Sequence, residues 1–169
     1  MKPGAAPTFT NFQQDIERRL EGEGKRTKNA HGQFVYRGYD DALAQMYREY
    51  LEAGALAPLV AEFRRWNWEW GYGDRLLELT DRLREARNWP LLKELWAGVI
   101  AKRRTNYNKT KKAQRADPDH IPEASVTRTR ALLLEALVQL RRYATELRQE
   151  SDIGDYLAMI ERVERGITA

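Results

Sequence analysis

The sequence predicts an all-α protein of about seven helices, in which three αα-hairpins stack side by side as a helical-repeat-like superhelix or bundle and an N-terminal helix caps one end. Three observations carry that prediction. Apolar residues recur at i, i+3 and i+4 spacing through most of the chain after residue 8. Glycine and proline fall where these periodic stretches stop. Three of the connections between stretches are only one to three residues long, and loops that short force antiparallel neighbours.

In the first helix Phe12, Ile16 and Leu20 line one face, Thr10 and Gln13 have the spacing of a capping box, and Gly22 and Gly24 end it. The second runs from about Asp40 to Ala53, with Leu43, Met46, Tyr47 and Tyr50 on one face and Gly54 as its stop. Leu56, Leu59, Val60 and Phe63 mark a third from Leu56 to Arg65, and Leu76, Leu79, Leu83 and Ala86 a fourth from about Asp74 to Arg87. Asn88 can cap a fifth, with Pro90 tolerated in its first turn and Leu91, Leu92, Leu95, Trp96 and Val99 facing inward. Asp117-Pro118 and Pro122-Glu123 punctuate a loop before a long sixth helix, which reaches about Gln149 with a broad apolar face of Leu132, Leu133, Leu134, Leu137, Val138, Leu140, Ala144 and Leu147. A face that wide calls for neighbours on two sides. The last helix starts at Ser151 or Asp152 and presents Ile153, Tyr156, Leu157, Ile160 and Val163. One short strand is conceivable, between Gln33 and Arg37.

Residues 1–169 are therefore expected to form one all-α domain. Its parts are a flexible N-terminus over 1–8, a loop over 22–38, two αα-hairpins over 39–104, a basic inserted loop over 102–123 and a third hairpin over 124–169. A shift of 33 residues overlays the first two hairpins, pairing Leu43 with Leu76, Met46 with Leu79, Tyr50 with Leu83, Leu59 with Leu92 and Phe63 with Trp96. A shift of 64 overlays the third more loosely. Within this pattern the stretch Leu79 to Ile100 resembles a degenerate tetratricopeptide repeat in its unit length, its hairpin turn and the aromatic Trp89 that opens its second helix. It departs from that family where Thr80, Leu92 and Val99 replace small residues. The resemblance implies a helical-repeat scaffold that binds a peptide or a protein surface.

Composition narrows the function classes. The chain has no cysteine, which removes disulfide scaffolds, thiolate metal sites and thiol nucleophiles. It has two histidines, and its serines, Ser125 and Ser151, stand at helix starts where capping accounts for them. Gly22 to Thr27 lacks the spacing of a phosphate loop, and Asp117, Asp119 and His120 form a ligand-like cluster that reads better as a turn. No catalytic residue, cofactor or metal site is expected. No stretch approaches the length of a membrane-spanning helix and the N-terminus lacks an apolar signal segment, so a cytoplasmic protein with no membrane partner is expected.

Two features stand out. Trp66, Trp68, Trp70 and Tyr72 alternate with polar or small residues, which makes them either a staple between hairpins or an aromatic anchor for a protein partner. The net charge of +4 is local: 102–116 holds seven basic residues and no acid, and the rest of the chain sums to −3. As a loop, Lys102, Arg103, Arg104, Lys109, Lys111, Lys112 and Arg115 could all track phosphates while Tyr107 stacks on bases; if 102–116 instead continues the fifth helix, the cations wind around several of its faces. Residues 25–38 add four basic residues with Phe34 and Tyr36. The preferred functional expectation is a helical-repeat adaptor that engages a protein partner, as a free protein or as a subunit of a larger complex. The alternative is an RNA- or single-stranded-DNA-binding subunit that uses 102–116.

Overall fold

The computed structural model describes residues 6–65, 73–147 and 154–168. Their fold is all-α, with seven helices and one small hairpin of strands. The order is α1 (Phe12–Gly22), β1 (Arg26–Lys28), β2 (Phe34–Tyr36), α2 (Tyr39–Glu52), α3 (Leu56–Arg65), α4 (Gly73–Glu85), α5 (Trp89–Ala116), α6 (Glu123–Leu147) and α7 (Gly154–Thr168). By their contacts they form two compact units, α1 to α4 with the strands in the first and α5 to α7 in the second, divided between Ala86 and Arg87. The two members of the expected second hairpin, α4 and α5, fall in different units. Trp66, Trp68, Trp70 and Tyr72 lie outside the described residues, as does the expected start of the last helix at Ser151 or Asp152.

In the first unit the amphipathic faces meet as their periodicity requires. Phe12, Ile16 and Leu20 of α1 are buried, as are Leu43, Met46, Tyr47 and Tyr50 of α2, Leu59, Val60 and Phe63 of α3, and Leu76, Leu79 and Leu83 of α4. Tyr50 meets Phe9 and Phe12 in T-shaped pairs at 5.1 and 5.2 Å between centroids. The Tyr47 hydroxyl donates to the Arg75 carbonyl at 2.7 Å, tying α2 to α4. Arg19 donates both guanidinium nitrogens to Glu49 at 2.8 and 2.7 Å, a bidentate tie between α1 and α2. Thr80, buried where a repeat of the resembled kind has a small residue, satisfies its hydroxyl on the Leu76 carbonyl at 2.8 Å.

Helix ends follow local chemistry. At Gly24 and Gly54 the backbone turns left-handed, with φ of 69° at each. The next residue then donates back five positions, Lys25 to the Leu20 carbonyl and Ala55 to the Tyr50 carbonyl, which closes α1 and α2. At the start of α1 the cap is Asn11 and not Thr10: the Asn11 side chain accepts from the Gln14 amide at 3.1 Å, whereas the Thr10 hydroxyl meets that of Thr8. Asn88 caps α5 as expected, accepting from Leu91 at 3.4 Å.

The stretch 22–38, expected as a loop with one conceivable strand, contains two. Arg26 pairs with Tyr36, Thr27 with Val35 and Lys28 with Phe34 in an antiparallel ladder. Asn29 shapes the turn, its side-chain oxygen accepting from the amides of His31 and Gln33 at 2.9 and 3.0 Å. The first strand has no apolar alternation of its own, and its conformation comes from its partner.

In the second unit α6 packs on both α5 and α7. Leu92, Leu95, Trp96, Val99 and Ile100 of α5, Leu133, Ala136, Leu137, Leu140, Tyr143 and Ala144 of α6, and Val163 and Ile167 of α7 are buried. Of the expected inner face of α6, Leu132 is half-buried, and two members are exposed, Leu134 at 38% and Val138 at 64%. They sit one turn apart, just outside the arc that its neighbours cover. Among the described residues no helix is long and apolar enough to cross a membrane.

Candidate nucleic-acid interface

The basic segment is helical. Residues 102–116, expected within an inserted loop, continue α5 without a break to Ala116. They contain neither glycine nor proline, and Lys, Arg, Gln and Ala favour the helix. The Thr105 hydroxyl turns back onto the Ala101 carbonyl at 2.9 Å and leaves the backbone ladder intact. Lys111, Lys112 and Arg115 lie toward the carboxyl end, where the helix dipole favours positive charge. The helix stops at Asp117, which precedes Pro118 and cannot comfortably stay helical.

The loop from Asp117 to Pro122 returns the chain along α6, so the end of α5 and the start of α6 form a two-helix arm. Its base is marked by Arg103, whose guanidinium donates to the Leu132 carbonyl at 2.8 Å and lies 3.8 Å from the Glu135 carboxylate. From that level the arm extends about 20 Å along α5, at 1.5 Å per residue. Nearer the core, Ala97, Ile100, Ala101 and Arg104 of α5 and Arg162 and Val163 of α7 line an open pocket of about 190 Å³.

The seven cations and the tyrosine fare differently. Arg103 is spent on α6, with its side chain only 12% exposed. Tyr107 is buried, 4% exposed, so its ring serves the arm's seam and offers no face to a base; this corrects the expectation that it stacks. Lys111 is half-buried, with its ammonium 5.6 Å from the Tyr107 ring centre, and Lys102 is half-buried as well. Arg104, Lys109, Lys112 and Arg115 are exposed. At about 100° per residue from buried Tyr107, Arg104, Lys111 and Arg115 flank one side of the seam, while Lys102, Lys109 and Lys112 lie on the opposite face of the helix.

The structure adds two residues that the reading of 102–116 passed over. Arg128 and Arg130 of α6 are exposed on the same arm. Their signal was present in the sequence, because no acid stands between Glu123 and Glu135. Residues 102–131 together hold nine basic and three acidic groups, and the acids, Asp117, Asp119 and Glu123, gather at the tip. There Asp117 accepts from the His120 amide and meets its ring nitrogen at 2.9 Å, an exposed turn. Among the described residues no three His, Asp or Glu side chains are grouped so as to hold a metal ion. Also among the described residues, none of Arg104, Lys109, Lys112, Arg115, Arg128 and Arg130 pairs with a carboxylate. Such an arrangement can bind a polyanion through its charged groups, which hold the backbone without reading base edges. No protein-family model, curated protein or solved structure matches this chain.

Proposed function

We propose that this chain is a binding protein whose α5–α6 arm holds the phosphate backbone of a nucleic acid. The observation that supports this reading is the set of six exposed cations without carboxylate partners on one stiff pair of helices. On a helix these charges keep fixed spacings, so several phosphates are neutralised together and their counterions released. The test is binding of labelled single-stranded RNA, single-stranded DNA and duplex at low salt. The wild type binds, and the variant with Lys109, Lys112 and Arg115 all changed to Ala loses on the order of a hundredfold or more in affinity. Absence of low-salt binding by the wild type contradicts the proposal.

A second reading, the helical-repeat adaptor for a protein partner, is favoured by Leu134 and Val138, apolar and exposed one turn apart on α6. Trp68→Ala with Trp70→Ala, and separately Val138→Lys, should then release a co-purifying partner while the circular dichroism stays unchanged. Loss of helical signal in the tryptophan variant instead makes those rings part of the core.

A further inference from the structure

The strand hairpin carries a second set of exposed groups that packing does not explain. Strand alternation puts Arg26, Lys28, Phe34 and Tyr36 on one face and Thr27 and Val35 on the other. Phe34 is 57% exposed, an unusual position for a phenylalanine. Cations lie against its ring: the Arg26 guanidinium is 3.9 Å from the ring centre and the Lys28 ammonium 5.2 Å. The face is fixed to α1 through Glu21, which takes the Arg26 guanidinium at 3.0 Å and the Tyr36 hydroxyl at 2.8 Å. From Lys25 to Tyr39 there are four basic residues and no acid. Lys25 is paired with Glu23, but Lys28 and Arg37 are exposed and, among the described residues, bear no carboxylate partner.

We propose that this hairpin is a binding site for single-stranded nucleic acid, in which an unpaired base stacks on Phe34 and the flanking phosphates meet Lys28 and Arg37. The proposal rests on the nucleic-acid reading of the chain and assigns its stacking contact, which buried Tyr107 cannot supply. A ring held by a guanidinium on a pinned ribbon is already oriented, so little freedom is lost when a base lies on it. Only single strands offer such a base; in a duplex the faces are occupied by neighbouring pairs.

The experiment measures fluorescence anisotropy of a labelled oligouridine and of a duplex of equal length against the full chain at low salt. Phe34→Ala weakens oligouridine binding roughly tenfold, leaves the duplex within about twofold, and Phe34→Tyr keeps the wild-type affinity. Lys28→Ala with Arg37→Ala lowers the salt dependence of oligouridine binding by about one to two contacts. In the wild type, a 5-bromouridine in the oligomer crosslinks to Phe34, which a purely structural ring would not do. Oligouridine affinity unchanged by Phe34→Ala, or an equal loss on the duplex, overturns this site while the arm's reading stands. No binding of either probe by the wild type overturns both.

Discussion

Asp15 gathers three parts of the first unit, the segment before α1, α1 itself and α2, onto one buried carboxylate. It is 2% exposed, and its carboxylate accepts from the Tyr50 hydroxyl at 2.6 Å, the Thr8 amide and hydroxyl at 2.9 Å, the Phe9 amide at 3.0 Å and Arg18 at 2.7 Å. Thr8, expected to end a free tail, is thereby held to α1. Phe9 takes a left-handed φ of 58° with its amide turned to the same carboxylate. Burial alone would raise the Asp15 pKa, but the bonds from Tyr50, Thr8 and Phe9 outweigh it and hold the carboxyl below its ordinary value. The Arg19 hydrogen bonds hold Glu49 low as well. A folded pKa below the unfolded one means that these groups stabilise the fold above the unfolded value, about 4, and that the contribution is lost as pH falls through the folded values. Denaturant unfolding between pH 7 and pH 3 should therefore show falling stability, with Asp15→Asn much flatter over the same window. Tyr50→Phe should cost about 1–2 kcal/mol at pH 7, and Asp15→Ala, which strands several buried donors, about 3 kcal/mol. No residue pattern announced this network, because an aspartate in the first turn of a helix also serves simply as a favourable partner of the dipole.

At the scale of elements, the strongly periodic helices were legible to within a residue or two. Leu56 to Arg65 is the same in sequence and structure, and Gly54 stops α2 where expected. The misses have physical causes. The run 102–116, placed in an inserted loop with continuation of the fifth helix left open, is helical, and one buried Tyr107 and a favourable dipole are enough to keep it so. The β1 strand was invisible because its partner, and not its own pattern, makes it a strand. Tyr107→Ala should cost about 3 kcal/mol and speed hydrogen exchange selectively over 105–116 and 123–131. Leu134→Lys, by contrast, should shift stability by no more than about 0.5 kcal/mol, since that side chain lies outside the covered face.

At the scale of the molecule, the charge that made the whole chain basic resides on one arm, and the fold turns a local sequence run into a surface. The concentration of charge was legible; which charges are free was not, because Arg103 differs from its neighbour Arg104 only in the side of the helix it occupies, and that side faces α6. The most direct test of the central claim is the slope of log binding constant against log salt for a nucleic-acid duplex, in wild type and in Lys109→Ala/Lys112→Ala/Arg115→Ala. The account predicts a steep wild-type slope that the triple variant reduces by about two to three, with circular dichroism unchanged. Equal slopes in the two proteins, or a wild type that does not bind at low salt, would contradict it.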